Sequence, residues 1–203
     1  MRTLPDGRLL MVNGDVAGKG LGAALLVATI LPVLGVACEK ICDPVAIMTG
    51  LNRHIWQLTD TTRFATLFIG ILDPATGRLT YVNAGHNPPF VVEPDGTLGT
   101  LEPTGLPVGM FQDAEYGVAE ATLAPGASLV LYSDGVSEAD AGGVFYGEGR
   151  FGDVLSRSAG GSAPFLMAEA LCDLAEFMAS REPGDDITLV IVKRLEAEAK
   201  AVE

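Results

Sequence analysis

The chain has 203 residues, 48% of them hydrophobic, and is long enough to bury the core of one domain. Its formal charge is −13, from 13 basic and 26 acidic side chains. Nucleic acids and anionic membranes attract clustered lysine and arginine, so this charge disfavours both as partners. We expect one domain over residues 1–203, with a core at about 8–193 and a tail at 194–203.

The first part of the chain is predicted to run strand, helix, helix and hairpin. Asp43 is a good N-cap residue and Pro44 suits the first helical position. After Arg63 the hydrophobic period changes from helical to strand-like. The predicted elements are a strand at Arg8–Asn13, helices at Gly20 to about Cys38 and Pro44 to about Leu58, and strands at Phe64–Leu72 and Arg78–Asn83.

The segment from Gly20 to Cys38 has no charged residue and is nearly long enough to span a bilayer. A helix buried on both sides shows the same pattern, and we favour that interpretation because Gly22, Pro32 and Gly35 interrupt the segment. Residues 1–15 also lack the basic start and long apolar stretch of a signal peptide. No membrane insertion is expected.

The second part is predicted to add strands and a pair of helices, with residues 137–149 as an exposed loop. Antiparallel strands interleaved with paired helices indicate an α+β layered sandwich. The predicted strands are Phe90–Val92, Tyr116–Leu123, Ser128–Tyr132 and Ile187–Val192. The predicted helices are about Gly149–Ser156 and Pro164–Ser180, the latter with one face formed by Phe165, Ala168, Leu171, Cys172, Ala175 and Met178.

The cysteines Cys38, Cys42 and Cys172 do not form a disulfide framework. We expect buried, reduced thiols, since free cysteine behaves as a small apolar residue, and a cytoplasmic location. Cys38 and Cys42 could share a metal, but with only His54 and His86 as histidines a zinc site has few further candidates.

Three acidic turns, each next to a strand-like stretch, carry the functional signal. They are Asn13–Asp15, Ser133–Gly135 and Gly184–Asp186. Taken singly, Asp15 could be a helix N-cap and Asp134 an ordinary turn residue. Asp185 and Asp186 could be a solvated pair. Brought together, carboxylates repel unless cations lie between them, and oxygen-only clusters suit Mg²⁺ or Mn²⁺ better than zinc.

The glycine-rich turn at 14–20 lies at a helix start, where free N–H groups attract anions. It is not a P-loop, because Gly14 is one residue too close to Gly18. Gly20 also stands after Lys19, where a P-loop has a hydroxyl residue. Nucleotide triphosphate binding is therefore disfavoured.

Five segments together resemble the bacterial serine phosphatases of the PPM type, in the RsbU and SpoIIE-like branch. They occur in the family's order and cover about 14 to 193. The segments are GDVAGKG at 14–20, FATLFIGILDPATGRLTYVNAGHNPPFVV at 64–92, GLPVGM at 105–110, LAPGASLVLYSDGVSEA at 123–139 and DDITLVIV at 185–192.

The resemblance implies an α-β-β-α sandwich of two mainly antiparallel sheets flanked by helices, with two Mg²⁺ or Mn²⁺ ions. By position, Asp15 is similar to the carboxylate that bridges both metals, and Val16 would offer its backbone carbonyl. Asp134 and Asp185 are similar to ligands of one metal, with Asp186 as a neighbouring or alternative ligand. Asp15, Asp134 and Asp185 would act in catalysis through the bound metals and water.

The reaction implied by the resemblance is hydrolysis of phosphoserine or phosphothreonine by a metal-activated water, without a covalent intermediate. Many relatives outside this branch have a histidine two residues after the bridging aspartate. Here that position is Ala17, so a water on the metals would protonate the leaving oxygen. His86, in the Ala-Gly-His-Asn-Pro-Pro element, is expected to be chiefly a signature of the fold.

The implied substrate is a phosphorylated regulatory protein similar to an anti-anti-sigma factor, with an upstream sensor domain or regulator as a further partner. The family's first acidic metal motif lies upstream of Arg8, so the domain is expected to be N-terminally truncated and to lack at least one strand, which reduces activity. An open sheet edge would favour a homodimer.

Two alternatives stay open. A catalytically impaired phosphatase-like module could bind a regulatory partner without turnover. A metal-dependent hydrolase could instead act on a small phosphate ester.

Overall fold

A computed structural model describes residues 1–40, 43–59, 63–179, 181 and 183–195, without the side chains of 37–40. The helices are α1 Leu21–Lys40, α2 Pro44–Leu58, α3 Asp134–Ser137, α4 Glu148–Ser158 and α5 Ala163–Met178. The strands are β1 Arg2–Thr3, β2 Leu9–Val16, β3 Ala65–Leu72, β4 Arg78–Ala84, β5 Phe90–Val92, β6 Leu98–Thr100, β7 Ala119–Thr122, β8 Ser128–Tyr132 and β9 Leu189–Lys193.

These elements form two compact units, each with its own sheet. The first unit comprises Met1–Pro88 and Glu102–Ala121, and the second comprises Pro89–Leu101 and Thr122–Glu203. One sheet has the order β1-β2-β3-β4-β7 and the other has the order β6-β5-β8-β9. The neighbouring strands whose register is described pair antiparallel. The predicted α+β class with two mainly antiparallel sheets is confirmed.

In the first unit, β2 has two different faces because strand side chains alternate. Leu10 is buried in an apolar core, against which Val12 and Val16 pack. Asn13 and Asp15 therefore point to the opposite face. Helix α2 begins as predicted: the Asp43 carboxylate caps it by accepting a hydrogen bond of 2.9 Å from the backbone N–H of Val45.

The prediction that the helix at 20–38 is buried on both sides is wrong. Leu26, Ile30 and Leu34, spaced four residues apart, are buried in the core of the first unit. Nothing among the described residues covers the other face, where Leu21 is 76% exposed and Leu31 is 63% exposed. A uniformly apolar segment does not indicate which of its faces packs. Within the described part of the chain, no helix meets the length and hydropathy that a membrane span requires.

In the second unit, all five residues of β8 are buried, and α5 packs with a different face from the one predicted. Its buried residues are Leu166, Ala170, Leu174 and Met178, so only the last belongs to the predicted face. Helix α5 has two apolar stripes at helical spacing, and packing on α4 and β9 selects one of them. Cys172 is therefore exposed, contrary to the expected buried thiol.

Several short elements differ from the predictions. The structure adds β1, β6 and α3, and shortens the predicted strand at 116–123 to β7. The predicted loop 137–149 is largely exposed, but Tyr146 in it is buried. The side chains of Cys38 and Cys42 and the tail at 196–203 lie outside the described residues.

Candidate active site

Asp15 lies near the carboxyl end of β2, held by the ladder with β3. In the register of the two strands it stands opposite Thr66, and Val16 stands opposite Ala65. The backbone N–H of Ala17 still donates to the Phe64 carbonyl, at 2.9 Å, before the chain turns towards α1. The exposed carboxylate of Asp15 is thus carried by a strand whose position is fixed up to its last residues.

A buried polar network lies on the same face of this sheet. The imidazole of His86 is 2.9 Å from the amide nitrogen of Asn13 and 3.0 Å from the hydroxyl of Thr66. Asn13 is two residues before Asp15, so their side chains share a face, and Thr66 is the residue opposite Asp15. We call Asn13, Asp15, Thr66 and His86 the β2 corner.

In the second unit, one hydroxyl joins the other two acidic turns. The Ser133 hydroxyl donates to the Asp186 carbonyl at 2.9 Å and accepts from the Thr188 N–H at 2.9 Å. The Ser133 N–H also donates to the Thr188 carbonyl at 3.0 Å. Half-buried Asp134 begins α3 directly after Ser133, and the exposed pair Asp185 and Asp186 lies just before β9. We call Ser133, Asp134, Asp185 and Asp186 the β8–β9 corner.

Gly135 explains how closely these two turns approach. A Cβ placed on this residue would collide with the backbone carbonyl of Asp186. Only glycine leaves room for the backbone there. Asp134 is therefore fixed next to the segment that carries Asp185 and Asp186, although these residues are about fifty positions apart in sequence.

In each corner, the donor atoms are of the type that suits hard divalent cations. The carboxylates of Asp15, Asp134, Asp185 and Asp186 supply oxygen only, the donor that Mg²⁺ and Mn²⁺ prefer. His86 has both ring nitrogens engaged in hydrogen bonds and does not compete as a ligand. Among the described residues, no three or more His, Cys, Asp or Glu side chains are placed together as a group that could hold a metal ion. The ligand set stays a prediction.

A cavity of about 390 Å³ in the first unit was not foreseen from the sequence. It lies beside β2, and its lining includes Arg2, Val12, Asp15, Val27 and Leu31. Its walls combine β1, which is too short for any periodic signal, with the face of α1 that was expected to be covered. Neither feature can be recognised in the sequence pattern.

The chain matches the family model described as stage II sporulation protein E (SpoIIE) over residues 5–195. The chain belongs to the SpoIIE family. The match spans both compact units and every predicted ligand residue, and it confirms the family indicated by the sequence motifs.

Two curated relatives and one solved structure are similar to this SpoIIE-family chain. It is 30% identical to phosphoserine phosphatase RsbU of Bacillus subtilis, over 89% of this chain and 54% of RsbU. It is 32% identical to phosphoserine phosphatase RsbP of the same organism, over 61% of this chain and 32% of RsbP. The crystal structure of the RsbU and RsbW domains of Rv1364c from Mycobacterium tuberculosis is 28% identical with a TM-score of 0.80, over 96% of this chain and 54% of that one.

The chain therefore spans about half, or less, of the length of the two curated relatives. The TM-score of 0.80 confirms that the fold is that of the RsbU-type domain.

Proposed function

We propose that this chain is a Mg²⁺- or Mn²⁺-dependent protein serine/threonine phosphatase. The observation that carries the proposal is the SpoIIE-family match over residues 5–195. The names of two relatives, RsbU and RsbP, state phosphoserine phosphatase activity. The carboxylates near the strand ends support the proposal, because oxygen is the donor that Mg²⁺ and Mn²⁺ prefer.

The proposed ligands of two divalent cations are Asp15, the Val16 carbonyl, Asp134 and Asp185, with Asp186 as an alternative. When bound, such ions neutralise the charge on phosphoryl oxygens and lower the pKa of water. The protein's part is to hold the carboxylates in place before the substrate arrives. Rigid strand ends serve this purpose better than mobile loops, since catalysis depends on preorganised charge.

The leaving seryl oxygen must receive a proton, and position 17 does not provide one. Ala17 has no titratable side chain, and the ring nitrogens of His86 are occupied by Asn13 and Thr66. We propose that solvent donates this proton.

We also propose that residues 1–203 form a single phosphatase domain.

The proposed substrate is a phosphorylated regulatory protein of the anti-anti-sigma-factor type. The solved relative Rv1364c contains an RsbW domain besides its RsbU domain, which supports a role in such a pathway. The proposed location is cytoplasmic, and an upstream sensor domain is the proposed source of regulation.

The test is phosphate release, with Mn²⁺ or with EDTA, from a phosphoserine protein and from p-nitrophenyl phosphate. We expect Mn²⁺-dependent release from both, with the higher kcat/KM on the phosphoprotein. A preference for the small ester would favour a small-molecule hydrolase. Binding of the phosphoprotein with no release under either condition would contradict the proposal and favour a binding module.

A further inference from the structure

His86 is a buried histidine with a partner on each ring nitrogen. His86 is only 2% exposed to solvent. Nε2 lies 2.9 Å from the amide nitrogen of Asn13, and Nδ1 lies 3.0 Å from the hydroxyl oxygen of Thr66. The ring therefore connects β2 to β3 from a position after the end of β4.

The partners fix the tautomer of the ring. An amide nitrogen can only donate, so Nε2 of His86 must accept from Asn13 and carries no proton. The remaining proton is on Nδ1, which donates to the oxygen of Thr66. A proton on Nε2 would place two donors against each other, so this arrangement favours the tautomer with its proton on Nδ1.

The backbone of His86 is fixed as firmly as its ring. The side chain of Asn83 accepts from the His86 N–H at 2.8 Å and donates to the His86 carbonyl at 3.1 Å. Gly85 adopts a φ of +69°, and a Cβ there would lie 2.8 Å from Cγ of Pro107. The turn therefore has little freedom to shift the imidazole away from its partners.

Both partners of the ring are neighbours of Asp15. Asn13 shares its face of β2, and Thr66 stands opposite it on β3. We propose that His86 is a positioning residue that fixes Asp15 through Asn13 and Thr66. This inference rests on the proposed function, in which Asp15 is a metal ligand, and it assigns the histidine no contact with substrate or metal.

The test compares Mn²⁺ affinity and thermal stability in three variants. His86→Phe keeps a ring but removes both hydrogen bonds. Asn13→Leu combined with His86→Phe also replaces the polar partner with an apolar side chain of similar volume, so that the variant can fold. His54→Phe, on helix α2, is the matched control because it removes the other histidine of the chain.

We expect Mn²⁺ to bind at least about 10-fold more weakly to His86→Phe and to the double variant, the range seen when outer-shell supports of metal ligands are removed. The double variant should recover most of the melting temperature without recovering the affinity. His54→Phe should bind Mn²⁺ like the wild type. Recovery of affinity together with stability in the double variant would show a purely structural role and overturn the inference.

A wild-type protein that binds no Mn²⁺ would refute the proposed function separately. In that case, the position of Asp15 is monitored without metal, from the NMR signals of its backbone and its carboxyl carbon. These signals should move in the double variant and stay in place in His54→Phe, and unchanged signals in the double variant would overturn the inference. In the wild type, ¹⁵N spectra should show a protonated Nδ1 and a bare Nε2 on His86; the reverse tautomer would also overturn it.

Discussion

The two acidic corners are held in place by different means. In the β2 corner, side chains bond to side chains, and the imidazole of His86 connects Asn13 with Thr66. In the β8–β9 corner, the partners of the Ser133 hydroxyl among the described residues are all backbone groups. There the backbone of Gly135 lies directly against the carbonyl of Asp186.

This difference determines which substitutions should disrupt the structure of each corner. The β2 corner depends on the chemical identity of several side chains, so exchanging one buried partner leaves another without its bond. The β8–β9 corner depends on close backbone approach, so any added atom at Gly135 should disturb it. The carboxylates themselves are exposed or half-buried in both corners, so removing their charge should affect function much more than folding.

The largest effect is expected from neutralising one carboxylate in each corner. Asp15→Asn and Asp134→Asn should each lower Mn²⁺-dependent kcat/KM by more than about 100-fold, beyond the 10–100-fold typical of outer-shell residues. The melting temperature should change little, since surface substitutions usually shift stability by no more than about 0.5 kcal/mol. Phosphate release and thermal unfolding measure the two quantities. Wild-type activity in either variant would remove that corner from the site.

Gly135→Ala should be strongly destabilising although it adds only a single methyl group. The new Cβ would meet the Asp186 carbonyl, and overpacking of this kind costs about 1–3 kcal/mol of unfolding free energy. Urea unfolding measures the loss, and phosphatase activity should fall with it. Gly149→Ala in α4 is the matched control because a Cβ there meets nothing within 4 Å. It should instead stabilise the helix by up to about 1 kcal/mol.

An ion-pair group in the second unit should affect stability without affecting activity. Asp173 is 2.8 Å from Nε of Arg150 and 2.7 Å from a guanidinium nitrogen of Arg157, and it accepts from the Tyr146 hydroxyl. Burial raises the pKa of Asp173, but these hydrogen bonds outweigh burial and lower it from 3.8 to about 2. Because the folded-state pKa is depressed, this stabilisation is present above pH 4 and is lost as the pH falls towards 2.

Asp173→Asn should therefore cost on the order of 2 kcal/mol of unfolding free energy at pH 7. The difference between variant and wild type should shrink between pH 4 and pH 2. Asp153→Asn, an exposed carboxylate on α4, is the control and should cost little. A gap that stays constant down to pH 2 would mean that the pKa of Asp173 is not depressed.

The smallest of these effects is expected from Ser133→Ala. The change removes the hydroxyl partner of the Asp186 carbonyl and the Thr188 N–H, which should cost about 1–2 kcal/mol. Ser128→Ala on β8 is the control, since the Ser128 hydroxyl is buried with no hydrogen-bond partner among the described residues. Its removal should be neutral or slightly stabilising. Urea unfolding measures both variants. An equal loss of unfolding free energy in both would show that the hydrogen bonds of the Ser133 hydroxyl do not stabilise the protein.

Much of the fold could be predicted from local signals. The cap at Asp43, the hairpin of β3 and β4, and the apolar run of β8 are each marked by residues close in sequence. Strands of two or three residues such as β1 and β6 have no measurable period. The faces of α1 and α5 could not be chosen, because both helices have more apolar surface than the described structure covers.

The same limit applies to the candidate site. The aspartates stand out because glycine turns and strand ends surround them. The support of Asp15 does not stand out, because Asn13 and His86 are 73 positions apart. Spacing does not indicate that they meet. The sequence therefore predicted the carboxylates but not what holds them, and it assigned His86 only to the fold.

The central claim is that Asp15 and Asp134 both bind divalent metal, and calorimetric titration of Mn²⁺ into three proteins tests it most directly. The wild type should bind Mn²⁺, and Asp15→Asn and Asp134→Asn should each weaken binding by at least about 10-fold while remaining folded. Wild-type Mn²⁺ affinity in both folded variants would contradict the account.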